Sequence, residues 1–107
     1  MINVYIQQNN EQIIAIKVSG HADSAEYGKD LVCAGVTTVC VGIANALAEN
    51  GFLKNELGTI GLNKGICNIQ VKQYNEKIQI VLEIFVTILR TVEESQPQYI
   101  KIKRMEV

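Results

Sequence analysis

The sequence predicts an α+β domain: two helices on a mainly antiparallel sheet, in the order β-β-α-β(β)-α-β. Three observations carry this. Apolar residues alternate with period two near both ends and in the middle of the chain. Two longer apolar segments lack proline and have helical length. Breaks rich in glycine or asparagine separate these stretches. At 107 residues the chain fits one domain, 1–107, large enough to bury a core without disulfide or metal support.

Residues Ile2 to Gln7 alternate, with Ile2, Val4 and Ile6 on one face. Ile14, Ile16 and Val18 repeat the pattern after the polar break QQNNEQ, which predicts a hairpin with one buried face. Gly20 ends the second strand. The loop HADSAEYGK follows, polar and small, bounded by Gly20 and Gly28. Asp30 then opens the segment DLVCAGVTTVCVGIANALAENG as its N-cap, and Asn50-Gly51 stops it. This helix is apolar nearly all round in its first turns, so it should be covered on more than one side, by the sheet and by another helix or a second subunit.

LGTIGLNKGICNIQVKQ predicts one or two strands, a hairpin turning at Asn63-Lys64-Gly65, with Cys67, Ile69 and Val71 on one face. In EKIQIVLEIFVTILRTVEES both periods fit. Length favours a helix carrying Ile78, Val81, Leu82, Phe85, Leu89 and Val92, because a strand of that extent would far exceed the usual ~5 to 6 residues. Pro97 breaks it, and QYIKIKRMEV closes the chain as an edge strand.

A formal net charge of -1 gives no general attraction to nucleic acid, although KIKRMEV is locally basic, so no direct nucleic-acid contact is expected. The N-terminus lacks the charged head and apolar run of a signal peptide. No apolar segment reads as long enough to span a bilayer, which predicts a cytoplasmic protein with no membrane partner. Cys33, Cys40 and Cys67 are isolated and odd in number, which suits free thiols in a reducing compartment. Without a CxxC and with His21 as the only histidine, neither a metal nor any other cofactor is expected.

Chemistry concentrates in GHADSAEYGKDLVCAGVT, residues 20–37. With Asp30 as N-cap, Cys33 would occupy the third helical position, where free backbone N–H groups and the helix dipole favour a thiolate. His21 is the available proton acceptor. Asp30 acts in two directions. Its charge disfavours a thiolate, yet it favours an imidazolium and can fix the ring's orientation as the third member of a triad. Thr37 lies one turn beyond Cys33, so its hydroxyl could support the site or bond back to the Cys33 carbonyl. Backbone amides at the helix start, that of Cys33 included, could hold an oxyanion. Cys40, roughly 10 Å further along by helix rise, is too far for a disulfide with Cys33 and reads as packing.

The same residues also have a structural reading. Cys33 and Cys67 would be small core residues, His21 a surface turn, Asp30 a cap and Thr37 a helix hydroxyl. Tyr27 and Lys29 would be solvated or contact a substrate. A redox-sensing or thiol-transfer role lacks a resolving cysteine within reach of Cys33.

GHA, a short loop and then GKDLVCAGVT closely resemble the signature of the ribosomal-processing cysteine protease family, Prp. The resemblance spans the chain in length and element order and is specific in this segment. It implies a small homodimeric α+β cysteine endopeptidase of bacteria. Such an enzyme removes the N-terminal extension of a large-subunit ribosomal protein, the twenty-seventh in the standard naming. It also implies His21 and Cys33 as the catalytic pair and Asp30 as the neighbouring aspartate. Gly20, Ala22, Tyr27, Gly28 and Lys29 would belong to a substrate loop that moves on peptide binding. Two positions depart from the pattern: Thr37 stands where serine is expected, and Gly35 where alanine is common. Threonine keeps the hydroxyl and adds a methyl. The competing implication is a non-catalytic interaction module of ribosome assembly, with Cys33 in the core and Lys101 to Arg104 touching RNA or protein.

Overall fold

The computed structural model describes residues 1–20 and 27–107, with side chains from residue 30 onward in the first helix. The elements are β1 (Ile2–Asn9), β2 (Gln12–Ser19), α1 (Tyr27–Glu49), β3 (Gly58–Asn63), β4 (Ile66–Val71), α2 (Glu76–Ser95) and β5 (Ile100–Glu106). The expected order holds, and the segment between the helices resolves into two strands. The sheet runs β3-β4-β2-β1-β5, antiparallel except for β1 beside β5.

The strands form where the sequence alternates, and the buried half of each alternation makes the core. Ile2, Val4, Ile6, Ile16, Val18, Cys67, Ile69 and Ile100 pack with Val36, Cys40 and Leu47 of α1 and Leu82, Phe85 and Leu89 of α2. The helices thus form one layer on the sheet. Tyr5, Lys17, Gln70, Lys101 and Lys103 are exposed and alternate with the buried strand residues.

The first hairpin is tighter than the break QQNNEQ suggests. Strand pairing runs through that break to a two-residue turn at Asn10-Glu11, where φ is 49° and 68°. Positive φ at both central positions matches the right-handed twist of the strands. Register shifts between Gln7 and Gln8, so Gln7 faces Ala15 while Gln8 faces Ile13. The bulge resets the alternation, and Ile13 rather than Ile14 is fully buried.

The α2 helix spans the expected residues. Asn75 caps it by accepting from the Ile78 N–H at 3.1 Å, and one apolar stripe is buried. Two of its polar side chains also bind the sheet backbone. Gln79 accepts from the Ile13 N–H and donates to the Ile13 carbonyl, both at 2.8 Å, and Glu93 accepts from the Ile102 N–H at 2.8 Å.

The α1 helix departs from expectation at its start. It begins at Tyr27, so Asp30 lies inside the first turn and is not the N-cap. Tyr27, Gly28 and Lys29 are helical and not part of a loop. The C-terminal stop is as expected. The Gly51 N–H reaches the Ala48 carbonyl at 3.1 Å and the Phe52 N–H the Leu47 carbonyl at 3.0 Å, a Schellman arrangement with φ of 81° at Gly51.

One further expectation is overturned: Asp30–Glu49, with a mean hydropathy of 2.0, is long and apolar enough to cross a bilayer by length and composition. Its stripe of Cys33, Val36, Cys40, Ile43, Ala44 and Leu47 instead packs in the core. About 33% of the most apolar stretch is buried, so the chain alone covers one side of this helix.

Candidate active site

The end of β2 is fixed closely. Gly20 has φ of 86°, and a Cβ there would lie 2.4 Å from the Met1 carbonyl oxygen, so only glycine fits the turn. Its N–H donates to the Gly65 carbonyl at 3.0 Å, which ties the strand end to the β3–β4 turn. Gly20 is therefore an anchor for the segment that follows it. His21 and Ala22, the expected base and its neighbour, lie outside the described residues, as do the side chains of Tyr27, Gly28 and Lys29.

On α1, Asp30 is exposed, Cys33 is buried at 4% exposure and Thr37 is exposed one turn later. With the helix starting at Tyr27, Cys33 stands in the second turn. Its amide is inside the helical hydrogen-bonded ladder, and the free N–H groups belong to the four residues from Tyr27 to Asp30. The expected oxyanion donor at the Cys33 amide is thus displaced toward the helix start.

The earlier start also changes the electrostatics. The dipole's effect fades beyond the first turn, and the Asp30 charge three residues before Cys33 opposes a thiolate. A reactive sulfur here depends more on a paired imidazolium than on the helix end. This strengthens the need for His21.

The two remaining thiols meet in the core. A hydrogen bond with Cys67 pushes the Cys40 thiol well above its ordinary range, and burial adds to the rise; the same bond lowers Cys67 while burial opposes. Cys40 stays protonated, in keeping with a packing role. The pairing is not visible in the sequence, since it depends on β4 passing under α1.

A cleft of about 520 Å³ lies between α1 and the β3–β4 turn, opening at Thr37 one turn beyond Cys33. Among the described residues it is lined by Thr37, Cys40 and Val41 on one side and by residues 62–66 on the other. A larger groove, about 630 Å³, follows α2 from the Asn10-Glu11 turn. It lies at the opposite end of the sheet from Gly20 and has no cysteine among its lining residues. The smaller cleft, which opens one turn from Cys33, is therefore the candidate site. Val41 on α1 and Leu62 and Ile66 beside the β3–β4 turn went unnoticed in the sequence because single exposed apolar residues carry no signal of what stands opposite them.

A cysteine in the second turn of a helix on a two-layer α+β domain, one turn before a cleft that opens at Thr37, suits the class of thiol hydrolases. A family model described as cysteine protease Prp matches residues 1–101, and the chain belongs to that family. The ribosomal processing cysteine protease Prp of Staphylococcus aureus is 35% identical over 106 residues, covering 95% of this chain and 97% of that protein. Its Bacillus subtilis counterpart is 31% identical over 109 residues, at 95% and 96% coverage. The crystal structure of the essential S. aureus protease with a substrate peptide superposes with a TM-score of 0.85 at 31% identity, covering 98% of this chain and all of that one. The same protease with a covalently linked product peptide gives 0.79 at 30% identity, with the same coverage. The protein is a cysteine protease.

Proposed function

We propose that this protease removes the N-terminal extension of a large-subunit ribosomal protein, the twenty-seventh, with Cys33 as nucleophile and His21 as base. The observation that carries the reading is that Cys33 stands one helical turn before Thr37, which lines a cleft whose turn is hydrogen-bonded to Gly20, the residue leading into His21. The ribosomal processing role of the relatives supports the choice of substrate.

In this mechanism the Cys33 sulfur attacks the scissile carbonyl carbon while its proton passes to His21. The C–N bond then breaks, and His21 returns the proton to the leaving amine. Water, deprotonated by His21, attacks the thioester and releases the new carboxyl end and the thiol. Backbone N–H groups of the first helical turn suit the oxyanion, since they have no partner within the helix. Asp30 orients the imidazole and Thr37 supports the site. Because Cys33 is nearly buried, peptide binding has to uncover the sulfur.

The enzyme acts in the cytoplasm as a homodimer. The uncovered side of α1 supports the second statement: Leu31 and Val41 are exposed, and Gly35 and Gly42 have open space where a Cβ would stand, so another helix could approach closely.

Incubation with the extended ribosomal protein, followed by mass spectrometry, should give one cut that disappears in Cys33→Ala. Cleavage that persists in that variant would overturn the assignment. Iodoacetamide provides the complementary check on the competing interaction-module reading, in which Cys33 is inert core. A reactive Cys33 labels faster than free cysteine at neutral pH, and a core thiol does not.

A further inference from the structure

We propose that the outer face of the sheet, the side away from the two helices, binds single-stranded RNA, with Lys17, Lys101 and Lys103 meeting phosphates and Tyr5 stacking on a base. This goes beyond peptide hydrolysis; only the choice of RNA over DNA rests on the reading of a ribosomal protein as substrate.

Register is the first argument. Tyr5 pairs with Lys17 on β2 and with Lys103 on β5, and Lys17 pairs in turn with Asn68 on β4, so one row crosses the sheet as Asn68, Lys17, Tyr5 and Lys103. Lys101 stands two residues before Lys103 and on the same side of β5. Strand spacing puts Lys17 and Lys103 ~10 Å apart with the ring between them, and Lys101 ~7 Å from Lys103 along the strand. A flexible phosphodiester chain can meet all three.

Charge is the second argument. Among the described residues, the outward positions of the five strands hold no carboxylate. The strands contain one, Glu106, which shares the parity of Ile100 and Arg104. Ile100 is in the core and Arg104 pairs with Glu83 of α2 at 3.0 Å, so that parity faces the helix layer. The formal net charge of -1 averages over unlike faces: α2 carries Glu76, Glu83, Glu93 and Glu94, while the charged groups on the outer face of the sheet are the three lysines. Such a face attracts a polyanion even though the whole chain does not.

The third argument is the kind of anion. Tyr5 is 38% exposed in the middle of the row, and with Lys17, Asn68, Gln70 and Met105 it lines a concavity of about 410 Å³. Gln70 donates to Asn68 at 3.0 Å, so amides able to bond base edges stand beside the ring and the lysines. Unpaired bases offer a π face to the ring and polar edges to the amides, whereas a run of carboxylates would satisfy the lysines alone. Cys33 belongs to α1, on the other side of the sheet, so RNA held here does not compete with a peptide for the sulfur.

The full chain is titrated against a fluorescein-labelled single strand of about twelve uridines, followed by anisotropy. Binding should appear with a Kd between about 1 and 100 µM at low salt. It should weaken about twentyfold from roughly 50 to 200 mM KCl, the loss expected for three phosphate contacts on a single strand. Exchanging all three lysines, Lys17→Gln, Lys101→Gln and Lys103→Gln, should remove that salt dependence along with most of the affinity. Tyr5→Ala should weaken binding about tenfold and keep the salt slope, and Tyr5→Phe should restore it. These side chains are exposed, and thermal melts check that each variant folds. Where the triple variant melts early, single exchanges of Lys17 and Lys103 carry the test, each removing about a third of the salt slope. Absence of binding in the parent, or lysine variants that bind as the parent does, overturns the proposal.

Competitors fix the occupant. Polyglutamate at matched charge should displace the RNA poorly; if it competes equally, or if Tyr5→Ala binds as tightly as the parent, the face takes acidic protein and the proposal falls. A deoxyuridine strand that binds more tightly than the RNA also overturns it. Cleavage of peptides from the extended ribosomal protein, measured on the same variants, separates this from the proposed proteolysis. If RNA binds as described and no peptide is cut, the face stands and the substrate reading fails. If peptide is cut and RNA does not bind, the reverse holds.

Discussion

The two helices share one face of one sheet and are built on opposite plans. The α2 helix is amphipathic, capped by Asn75, and bound to the sheet backbone through Gln79 and Glu93, so its sequence states its place in the fold. The α1 helix is apolar on nearly every side, and its single buried stripe leaves Leu31 and Val41 in the open. Burying a stripe is enough to hold a helix; apolar surface beyond that stripe is a cost to a lone chain. The excess surface lies on the helix that also bears Cys33, the proposed nucleophile.

Substitutions on the two helices should therefore fail in different ways. The largest effect belongs to Cys33→Ala, expected to lower peptide cleavage by at least a thousandfold, measured as kcat/KM, while the denaturant midpoint moves little. Phe85→Ala on α2 reverses that pattern. A fully buried ring is lost and stability should fall by about 3–5 kcal/mol in urea unfolding, with any loss of activity tracking the unfolded fraction. Comparable destabilisation by the Cys33 variant, or a folded but inactive Phe85 variant, would break the contrast.

Gly20→Ala tests the anchor between the two plans. With positive φ and the Met1 carbonyl 2.4 Å from a would-be Cβ, it should cost about 1–3 kcal/mol and lower activity beyond what unfolding explains. Asp30→Asn is expected to change stability by less than about 1 kcal/mol, since a charge in the first turn is worth ~0.3–1 kcal/mol. Its effect on kcat and its pH profile decides whether the carboxylate orients His21; unaltered turnover would remove that role.

The smallest effect lies on β5, away from both helices' inner faces. Glu106 accepts from the Gln8 side chain at 2.9 Å and the Asn10 N–H at 2.8 Å, with Arg104 nearby, which hold its carboxyl below the usual range. A depressed folded-state pKa contributes stability that is present above the unfolded value and lost as pH falls through the folded one. Glu106→Gln should therefore lower stability slightly at pH 7 and leave it unchanged near pH 2, as read from melting midpoints at the two pH values.

Much of this was legible in the chain. The α2 boundaries, the Asn63-Lys64-Gly65 hairpin and the Gly51 stop follow from local periodicity and local backbone chemistry, which a sequence displays directly. Family membership was legible in the motif from Gly20 to Thr37, and the match over residues 1–101 bears it out. The start of α1 was not: Asp30 has the chemistry of a cap, and the three residues before it contain a glycine, yet the helix extends back to Tyr27. The bulge opposite Gln7 likewise turned the alternation over at Ile13 without any glycine to mark it.

The sequence by itself determined the element order, the core stripe of α2 and the residue types able to do thiol chemistry, because each depends on neighbours within a turn or a strand. Only the tertiary structure decided that Cys40 meets Cys67, that Gly20 is pinned between Met1 and Gly65, and that Val41 faces Leu62 and Ile66 across a cleft. Those contacts join residues 19 or more positions apart, and their geometry comes from how the strands pair and how β4 and its turn sit beneath α1, which no local pattern encodes.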